Sequence, residues 1–317
     1  MRVRYGLEGT SELKGCCVAL GNFDGVHRGH QKLIRTTVEK ARQKGCPSVV
    51  ITFDPHPALV LNPGEPPGLL TTKEQKIELI AGLGADFLYF LTFDLKLASL
   101  TPEAFVHQIL WPYFCPSLVT VGFNYTFGRG GRGNPSLLSA LGRELGFEVE
   151  VIPPVKLGER IVSSTAIREA LAQGDVLLAK ELLGYWPTLI GRVVSGEGRG
   201  RLLGFPTANI AVAPEVMLPA YGVYACRVGL PNGCWREGIV NIGKRPTFGP
   251  NLMPTVEVYL LDFSGSLYGE KLKVELRYFL RPEKAFASSD DLVEQIKIDI
   301  RRARQVLKSV TTSLKAT

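Results

Sequence analysis

A chain of 317 residues is about twice the length of a usual single domain, so we expect two domains. With 45% hydrophobic and 21% charged residues its composition is globular, and no apolar run approaches the roughly 18 residues that a membrane span needs. The N-terminus lacks the apolar segment of a signal peptide and is too acidic and glycine-rich for a transit peptide. We therefore expect a cytoplasmic protein with no membrane partner.

The net charge of +7 is unevenly distributed along the chain. Residues 1–186 hold 19 basic against 18 acidic side chains, whereas residues 187–317 hold 18 against 12. A basic second half favours anionic partners, either nucleic acid or small phosphorylated ligands, without choosing between them. The six cysteines form no C-x-x-C pair and do not cluster with the four histidines. Reduced thiols and no structural metal are therefore expected.

Up to about residue 183, short apolar runs alternate with helical patterns. The predicted strands are 16–20, 48–53, 86–91, 117–122 and 147–152, and the predicted helices are about 29–44, 72–82, 135–145, 164–173 and 175–183. A further helix begins at Thr101-Pro102-Glu103. Repeated βα units predict a Rossmann-like α/β domain, a parallel sheet with flanking helices on both faces. Ligands of such domains bind beyond the carboxyl ends of the strands.

From about residue 188, β-rich runs follow one another without intervening helices. The six predicted strands are 189–194, 207–212, 222–230, 234–242, 255–263 and 271–280. Asn232-Gly233 indicates a hairpin between two of them, and the spacing predicts an antiparallel β-barrel. Ser288 with Asp291 starts a long C-terminal helix with an apolar stripe. The predicted domains are 1–186 and 187–317.

Two glycine-rich segments imitate nucleotide-binding motifs. Residues 238–245 nearly match a P-loop but lack the Ser/Thr that would hold magnesium, and Pro246 stands where a helix should begin. Residues 128–133 match G-x-G-x-x-G, but they follow the fourth strand and do not open the first βα unit. Neither segment is expected to act as its motif suggests.

The most informative stretch joins the first strand to the first helix. There His27 and His30, three residues apart, place both imidazoles on one face near the positive end of the helix dipole. Flanking glycines let the backbone approach a phosphate closely. This arrangement suits attack at the α-phosphorus of a triphosphate, catalysed by positioning and electrostatics. The candidate ATP-binding residues here are Gly21, Asn22, Phe23, Asp24 and Gly25.

The H-x-G-H pattern at this junction resembles the nucleotidyltransferase superfamily. With residues 52–57 (TFDPHP), 121–128 (VGFNYTFG) and 163–168 (SSTAIR), the first half resembles the FMN adenylyltransferase module of bacterial bifunctional FAD synthetases. The resemblance implies that His27 and His30 are catalytic.

Further site residues of this half are carried over by the same resemblance. It implies that Ser164, Thr165 and Arg168 contact the ATP phosphates, in agreement with hydroxyls at a helix start and an arginine one turn on. Asn124 matches a position expected to contact the flavin or nucleotide. His56 lies between two prolines and is either such a contact or a structural turn residue.

The second informative stretch is rich in glycine and lies between strands of the second half. Its candidate ATP-binding residues are Gly196, Gly198, Gly200, Gly204, Pro206, Thr207 and Asn209. Thr207 and Asn209 alternate on a strand, so a hydroxyl and an amide oxygen share a face and can serve magnesium and nucleotide together. Glu257 lies in an apolar strand, where pattern alone favours a solvent-facing residue.

Several segments of this half resemble riboflavin kinase. They are Gly204–Asn209, Gly222–Tyr224, Asn241–Gly243 with Arg245-Pro246-Thr247, Leu267–Gly269 and Leu280–Phe286. The resemblance implies that Glu257 is the base for the ribityl 5′-hydroxyl, that Thr207 helps to bind Mg-ATP and that Arg281 lies near the flavin. Tyr259 is a departure, because many relatives have histidine there.

Together the two resemblances imply a bifunctional enzyme of flavin cofactor biosynthesis. Riboflavin and ATP would give FMN and ADP, and FMN and ATP would give FAD and pyrophosphate, with Mg²⁺ as cofactor. Two alternatives are that only one half is active, or that the chain is a flavin-responsive RNA-binding protein. Because its basic residues are scattered among strands and the last helix, we expect no nucleic-acid partner.

Overall fold

The chain folds into two compact units, the first of which is Met1–Ser164 and the second of which begins at Thr165. The computed structural model describes residues 1–64, 66–196, 198–244 and 254–313. The Arg245-Pro246-Thr247 part of the kinase-like pattern lies outside the described residues. In the part of the chain that is described, no helix is both long and apolar enough to cross a membrane.

The first unit alternates strands and helices as predicted. Its strands are β1 (Arg2–Tyr5), β2 (Cys17–Leu20), β3 (Ser48–Asp54), β4 (Phe87–Thr92), β5 (Leu118–Gly122), β6 (Glu148–Ile152), β7 (Lys156–Leu157) and β8 (Arg160–Ile161). Its helices are α1 (Arg28–Lys44), α2 (Pro57–Leu61), α3 (Lys73–Ala81), α4 (Leu95–Ser99), α5 (Pro102–Phe105), α6 (Trp111–Phe114) and α7 (Pro135–Leu145). Thr72 caps α3 in a capping box with Gln75, as its sequence indicates.

Six parallel strands form the sheet of this unit, in the order β1-β4-β3-β2-β5-β6. Successive side chains of β2 and β3 point to opposite faces, so each face has its own apolar core. One face packs against aromatic residues around α5 and α6 and against α7, and the other against α1 and α3. The predicted α/β architecture is thus confirmed. The edge strand β1 was not predicted, because its Arg-Val-Arg-Tyr sequence has the charged residues typical of a sheet edge.

The second unit begins with two helices and continues as a barrel. Its helices are α8 (Ser164–Ala172), which starts at the last residue of the first unit, α9 (Val176–Leu183), α10 (Arg199–Leu202) and α11 (Ser289–Ser313). Its strands are β9 (Thr188–Val194), β10 (Ala208–Val212), β11 (Gly222–Gly229), β12 (Trp235–Lys244), β13 (Pro254–Leu260) and β14 (Lys271–Pro282). The six strands close into an antiparallel barrel in the order β10-β13-β12-β11-β14-β9, which confirms the predicted barrel.

The long helix α11 covers one side of this barrel. Its buried Ala303 and Leu307 pack with Val223 and Ile239 of the barrel strands in one apolar cluster. The Asn232-Gly233 turn joins β11 to β12 as predicted, with Gly233 at φ 80°. Residues 238–244 of the segment that imitates a P-loop lie in β12 as extended chain and not as a phosphate-binding turn, and residue 245 lies outside the described residues.

Trp186 joins the helical part of the second unit to the barrel. Its ring lies between two cations, with Arg277 of β14 at 4.4 Å and Lys180 of α9 at 5.6 Å from the ring centroid. Cation–π contacts of this kind contribute about 0.5–2 kcal/mol each. Helix α9 therefore packs with the barrel, although the predicted domain boundary places it with residues 1–186.

Candidate active sites

The loop between β2 and α1 lies at the carboxyl edge of the parallel sheet, where the strand order switches sides. The chain continues from β2 to β3 on one side, while β5 lies on the other. Phe23 and Val26 of this loop have left-handed backbone, with φ of 48° and 34°. Such backbone costs about 1–3 kcal/mol per residue and persists only where surrounding contacts enforce it. A switch point and a strained loop together are typical of a ligand site.

Contacts from the segment before α3 hold this loop in place. The Asp24 carboxylate, only 3% exposed, accepts from the Leu70 N–H at 3.0 and 3.2 Å. The Gly25 N–H donates to Thr71 Oγ1 at 3.2 Å, and Ser164 Oγ donates to the Asp24 carbonyl at 3.1 Å. The Asp24 side chain thus ties the loop to the segment before α3. Ser164 lies beside the loop, and its contact with ATP stays a prediction.

The two histidines of the loop lie against each other at the start of α1. Their rings stack at 3.6 Å with an interplanar angle of 16°. His27 caps the helix, because its Nδ1 accepts from the His30 N–H at 3.3 Å. Since Nδ1 is an acceptor, a neutral His27 carries its proton on Nε2. Nδ1 of His30 is buried and has no hydrogen-bond partner among the described residues.

Both histidines are uncharged at neutral pH. Burial lowers the pKa of His27 to about 4. Burial, then the neighbouring His27 and Lys76, lower the pKa of His30 well below its usual value. Removing an imidazolium from water costs free energy, so the neutral ring is the stable form in this position. The pair therefore acts through hydrogen bonds and not through formal charge.

The other predicted residues of this site lie after neighbouring strands or on α8. His56 follows β3, and its Nδ1 caps α2 by accepting from the Ala58 N–H at 3.2 Å. Asn124 is exposed just after β5, which pairs with β2. The carboxyl ends of parallel strands meet at one edge, so both lie on the edge that carries the histidines. Thr165 and Arg168 lie in the first turns of α8, and their contact with ATP stays a prediction.

A cavity of about 390 Å³ is the centre of the second candidate site. It lies between barrel strands β10 to β13, the glycine-rich loop before β10 and the helix α11. Glu257 lies on the opposite face of β13 from the buried Val256 and Val258, so its carboxylate faces the cavity and not the barrel interior.

Three polar side chains form a row across adjacent strands of this cavity. Glu257 of β13 stands opposite Asn209 of β10 on one side and opposite Asn241 of β12 on the other. Directly opposed residues have Cβ atoms about 4.5–5.5 Å apart, so the three side chains share one patch. Thr207, just before β10, also lines the cavity. Asn241 was not singled out from the sequence, since only strand register shows that it faces Glu257.

Glycines of the loop before β10 permit close approach of its chain to these side chains. A Cβ on Gly196 would lie 2.1 Å from Asn209 Nδ2, and one on Gly200 would lie 2.4 Å from the Phe205 carbonyl oxygen and 3.3 Å from Thr207 Oγ1. The 2.4 Å approach to the Phe205 backbone leaves no room for a side chain at Gly200, and any side chain at Gly196 would displace Asn209. The remaining predicted residues, Gly198, Gly204 and Pro206, lie in the same loop, and Gly198 and Gly204 have φ of 71° and 83°.

Arg281 is held at the cavity wall by a carboxylate that the sequence analysis missed. Its Nε donates to Asp299 Oδ2 of α11 at 2.9 Å, and Gln295 Nε2 donates to Asp299 Oδ1 at 3.0 Å. Asp299 is only 1% exposed. Its position among apolar residues on the inner stripe of α11 is a signal that could have indicated it, because a charge on such a stripe needs a buried partner.

We expect Asp299→Asn to destabilise the second unit and to weaken riboflavin use. Breaking a buried ion pair from one side costs about 3–5 kcal/mol, because it leaves the other charge without a partner. Thermal unfolding and the KM for riboflavin would measure the two effects. Asp290→Asn, an exposed change in the first turn of α11, is the matched control. An unchanged melting temperature and KM would contradict this role.

Comparisons with known proteins match the two segments of the chain that contain the candidate sites. Residues 9–166 match the family described as FAD synthetase, and residues 183–307 match the family described as riboflavin kinase. The bifunctional riboflavin kinase/FMN adenylyltransferase of Escherichia coli (strain K12) is 37% identical over 307 residues, covering 96% of this chain and 97% of the relative. That of Bacillus subtilis (strain 168) is 39% identical and covers 90% of each chain.

This chain belongs to the bifunctional riboflavin kinase/FMN adenylyltransferase family. Like the family, it phosphorylates riboflavin to FMN and adenylylates FMN to FAD, with ATP as the nucleotide substrate of both steps. The crystal structure of a Streptococcus pneumoniae protein, described as a macrolide-efflux protein, has the same fold, with a TM-score of 0.87, 31% identity and coverage of 96% of this chain and 99% of that one.

Tyr259 is the position at which the resemblance leads us to expect a departure from many relatives. It lines the cavity two residues after Glu257. Its ring meets Phe205 of the glycine-rich loop edge to face at 5.6 Å. An aromatic pair of this geometry contributes about 0.5–1.5 kcal/mol beyond its buried area. Tyr259 therefore supports the loop by packing.

Proposed function

We propose that residues 1–186 carry the FMN adenylyltransferase activity and residues 187–317 the riboflavin kinase activity. The observation that carries the kinase assignment is the row Asn209, Glu257 and Asn241 in a cavity walled by glycine-rich backbone. The observation that carries the adenylyltransferase assignment is the stacked histidine pair on a strained loop at the switch point of the sheet.

In the proposed kinase reaction, Glu257 accepts the proton of the riboflavin 5′-hydroxyl as its oxygen attacks the γ-phosphorus of ATP. The bond from that phosphorus to the bridging oxygen breaks and ADP leaves. Backbone amides around Gly198 and Gly200 hold the phosphates. Arg281, kept in place by Asp299, lies at the flavin end of the cavity. The protein contributes mainly alignment and one base, because phosphoryl transfer needs little covalent participation from it.

The donors in the cavity fit the magnesium ion that the kinase role implies. Magnesium prefers oxygen ligands and usually takes only one or two from the protein, with waters and phosphates completing its shell. The Thr207 hydroxyl and the Asn209 side-chain oxygen would hold it beside the ATP phosphates. The ion would neutralise charge on the transferred phosphoryl group. No cluster of three or more His, Cys, Asp or Glu suited to a metal occurs among the residues described.

In the proposed adenylylation, a phosphate oxygen of FMN attacks the α-phosphorus of ATP and pyrophosphate leaves. His27 donates its Nε2–H to the charge that develops on the phosphate oxygens. His30, stacked on His27 with ring centroids 3.6 Å apart, donates a second hydrogen bond to the nucleotide. Ser164, Thr165 and Arg168 bind the leaving phosphates, and Asn124 and His56 lie at the edge where FMN enters. We further propose that both reactions occur in the cytoplasm.

We expect the kinase activity to survive in isolation from the first unit. A fragment of residues 187–317 should convert riboflavin to FMN and produce no FAD. A second fragment, 165–317, should do the same and melt at least about 5 °C higher, because it retains α9 and the Trp186 contact with Arg277. Chromatography of the flavin products and thermal circular dichroism would measure these results. A folded 165–317 fragment that makes no FMN would contradict the proposed division.

A further inference from the structure

A buried lysine of the first unit has no place in the functions assigned so far. Lys76 of α3 is only 6% exposed, although lysine is among the residues least often buried. Its Nζ donates to the carbonyl oxygen of Asn22 at 2.8 Å, and Thr52 Oγ1 donates to the same oxygen at 3.0 Å. The lysine thus reaches from α3 to the loop that carries His27 and His30.

The charge of Lys76 is not neutralised by a direct ion pair among the described residues. The nearby Asp24 carboxylate is bonded to the Leu70 N–H, and the nearby Asp54 carboxylate pairs with Lys73. An ammonium has three N–H donors, of which the Asn22 carbonyl takes one. Burial lowers the pKa of Lys76, with Asp24 and Asp54 acting in the opposite direction. The arrangement costs free energy that a bound anion would offset.

The reaction proposed for this loop is favoured by a cation beside the phosphates, in addition to the proposed Arg168. A triphosphate is strongly negative, and attack at its α-phosphorus moves charge onto the leaving pyrophosphate. The two histidines are neutral, so they offer hydrogen bonds without a formal charge. Lys76 is close enough to His30 to contribute to the lowered pKa of that ring. A fixed ammonium in a poorly hydrated site stabilises developing charge far more than one in water.

We propose that Lys76 is a catalytic residue of FMN adenylylation, whose ammonium bonds the triphosphate oxygens of ATP while it holds the Asn22 carbonyl. This inference rests on the proposed assignment of the Gly21–His30 segment as the ATP site. When ATP binds, the N–H donors of Lys76 that are not bonded to the Asn22 carbonyl bond phosphate oxygens. The ammonium then stabilises the negative charge that moves onto the leaving pyrophosphate as the bond from the α-phosphorus to the leaving oxygen breaks.

Three substitutions in the full chain test this role. Lys76→Met removes charge and donors, Lys76→Gln keeps a donor for Asn22 without charge, and Lys76→Arg keeps both. Met and Gln should each lower kcat/KM for ATP in FAD formation by at least about 100-fold, whereas Arg should retain about a tenth or more of the parent value. KM for FMN should change less than threefold. Riboflavin phosphorylation by the same preparations should stay at the parent rate.

Lys44→Met is the matched control. Lys44 lies at the opposite end of α1, about 21 Å along the helix from His30 at 1.5 Å per residue, and pairs with Glu148. Its loss should leave both activities unchanged. If the Met variant unfolds, the rates of FAD formation by the Gln and Arg variants are compared instead. The two preparations are matched for folded protein by their circular dichroism signal. Parent-like FAD formation by Lys76→Gln would overturn the proposal, because holding Asn22 would then be the whole role.

Different results would contradict the role of Lys76 and the assignment of the Gly21–His30 segment as the ATP site. If His27→Asn and His30→Gln abolish FAD formation while Lys76→Met does not, the ATP site stands and Lys76 has no catalytic role. If the histidine variants also form FAD at the parent rate, the loop is not the ATP site and both conclusions are overturned.

Discussion

Replacing Glu257 with glutamine should lower FMN formation from riboflavin by about 10²–10⁴-fold, the usual contribution of a general base. Glutamine has nearly the same shape and keeps an oxygen toward the cavity, but it cannot take the proton of the 5′-hydroxyl. Asn209 and Asn241, which flank position 257 on the neighbouring strands, have no basic group to replace it. Chromatographic rates of FMN formation at saturating ATP and riboflavin measure the loss.

The same variant should make FAD from supplied FMN at the parent rate, because the first unit is unchanged. Glu270→Gln, an exposed glutamate just before β14, is the matched control and should affect neither reaction. KM for riboflavin should change little in Glu257→Gln, since the substitution removes proton transfer and not the binding cavity. FMN formation above a tenth of the parent rate would show that Glu257 is not the base.

The second large effect is expected at the histidine pair. His27→Asn and His30→Gln should each reduce FAD formation from FMN by about 10²–10³-fold, the typical loss when one transition-state donor is removed. Asparagine is chosen at position 27 because it is a good N-cap and can still accept from the N–H of residue 30. The helix start is thereby preserved while the ring is lost. Single-turnover rates with FMN and ATP measure the effect.

His107→Asn is the control for these variants. His107 is exposed in the same unit, 4.0 Å from Glu144, and has no proposed role. It should leave both activities intact. FMN formation from riboflavin should also stay normal in the histidine variants, since its proposed residues lie in the second unit. Equal loss of both activities would indicate misfolding or a shared site and would contradict the assignment of His27 and His30.

Much of the fold followed from local patterns in the chain. The parallel sheet and the barrel were predicted because apolar periodicity and turn residues are local, as at the Thr72 capping box and the Asn232-Gly233 hairpin. The strand β1 escaped prediction, since its alternating arginines become a sheet edge only through pairing with β4. The contacts that group α9 with the barrel are equally non-local.

The site residues divide in the same way. His27, His30 and Glu257 were identifiable because motif and resemblance mark them by type and spacing. Lys76 was not identifiable, Asn241 was marked only as part of a longer motif, and Asp299 was marked only by its place on an apolar stripe, because each acts on a partner far away in sequence. Lys76 lies 54 residues from Asn22, and Asp299 lies 18 from Arg281. Only strand register and helix packing bring such pairs together.

The amino-acid sequence on its own was enough to assign the two architectures, their order and the type of chemistry at each site. Strand and helix periods, caps and short motifs depend on neighbours within a few residues, so they can be read from the chain. Only the tertiary structure determined the protonation of the histidines in the first site. Burial lowers the pKa of both histidines and packing places Lys76 beside them, and burial is a property of the tertiary structure. It also brought the Asp24 carboxylate to the Leu70 N–H, a contact between residues 46 apart in sequence.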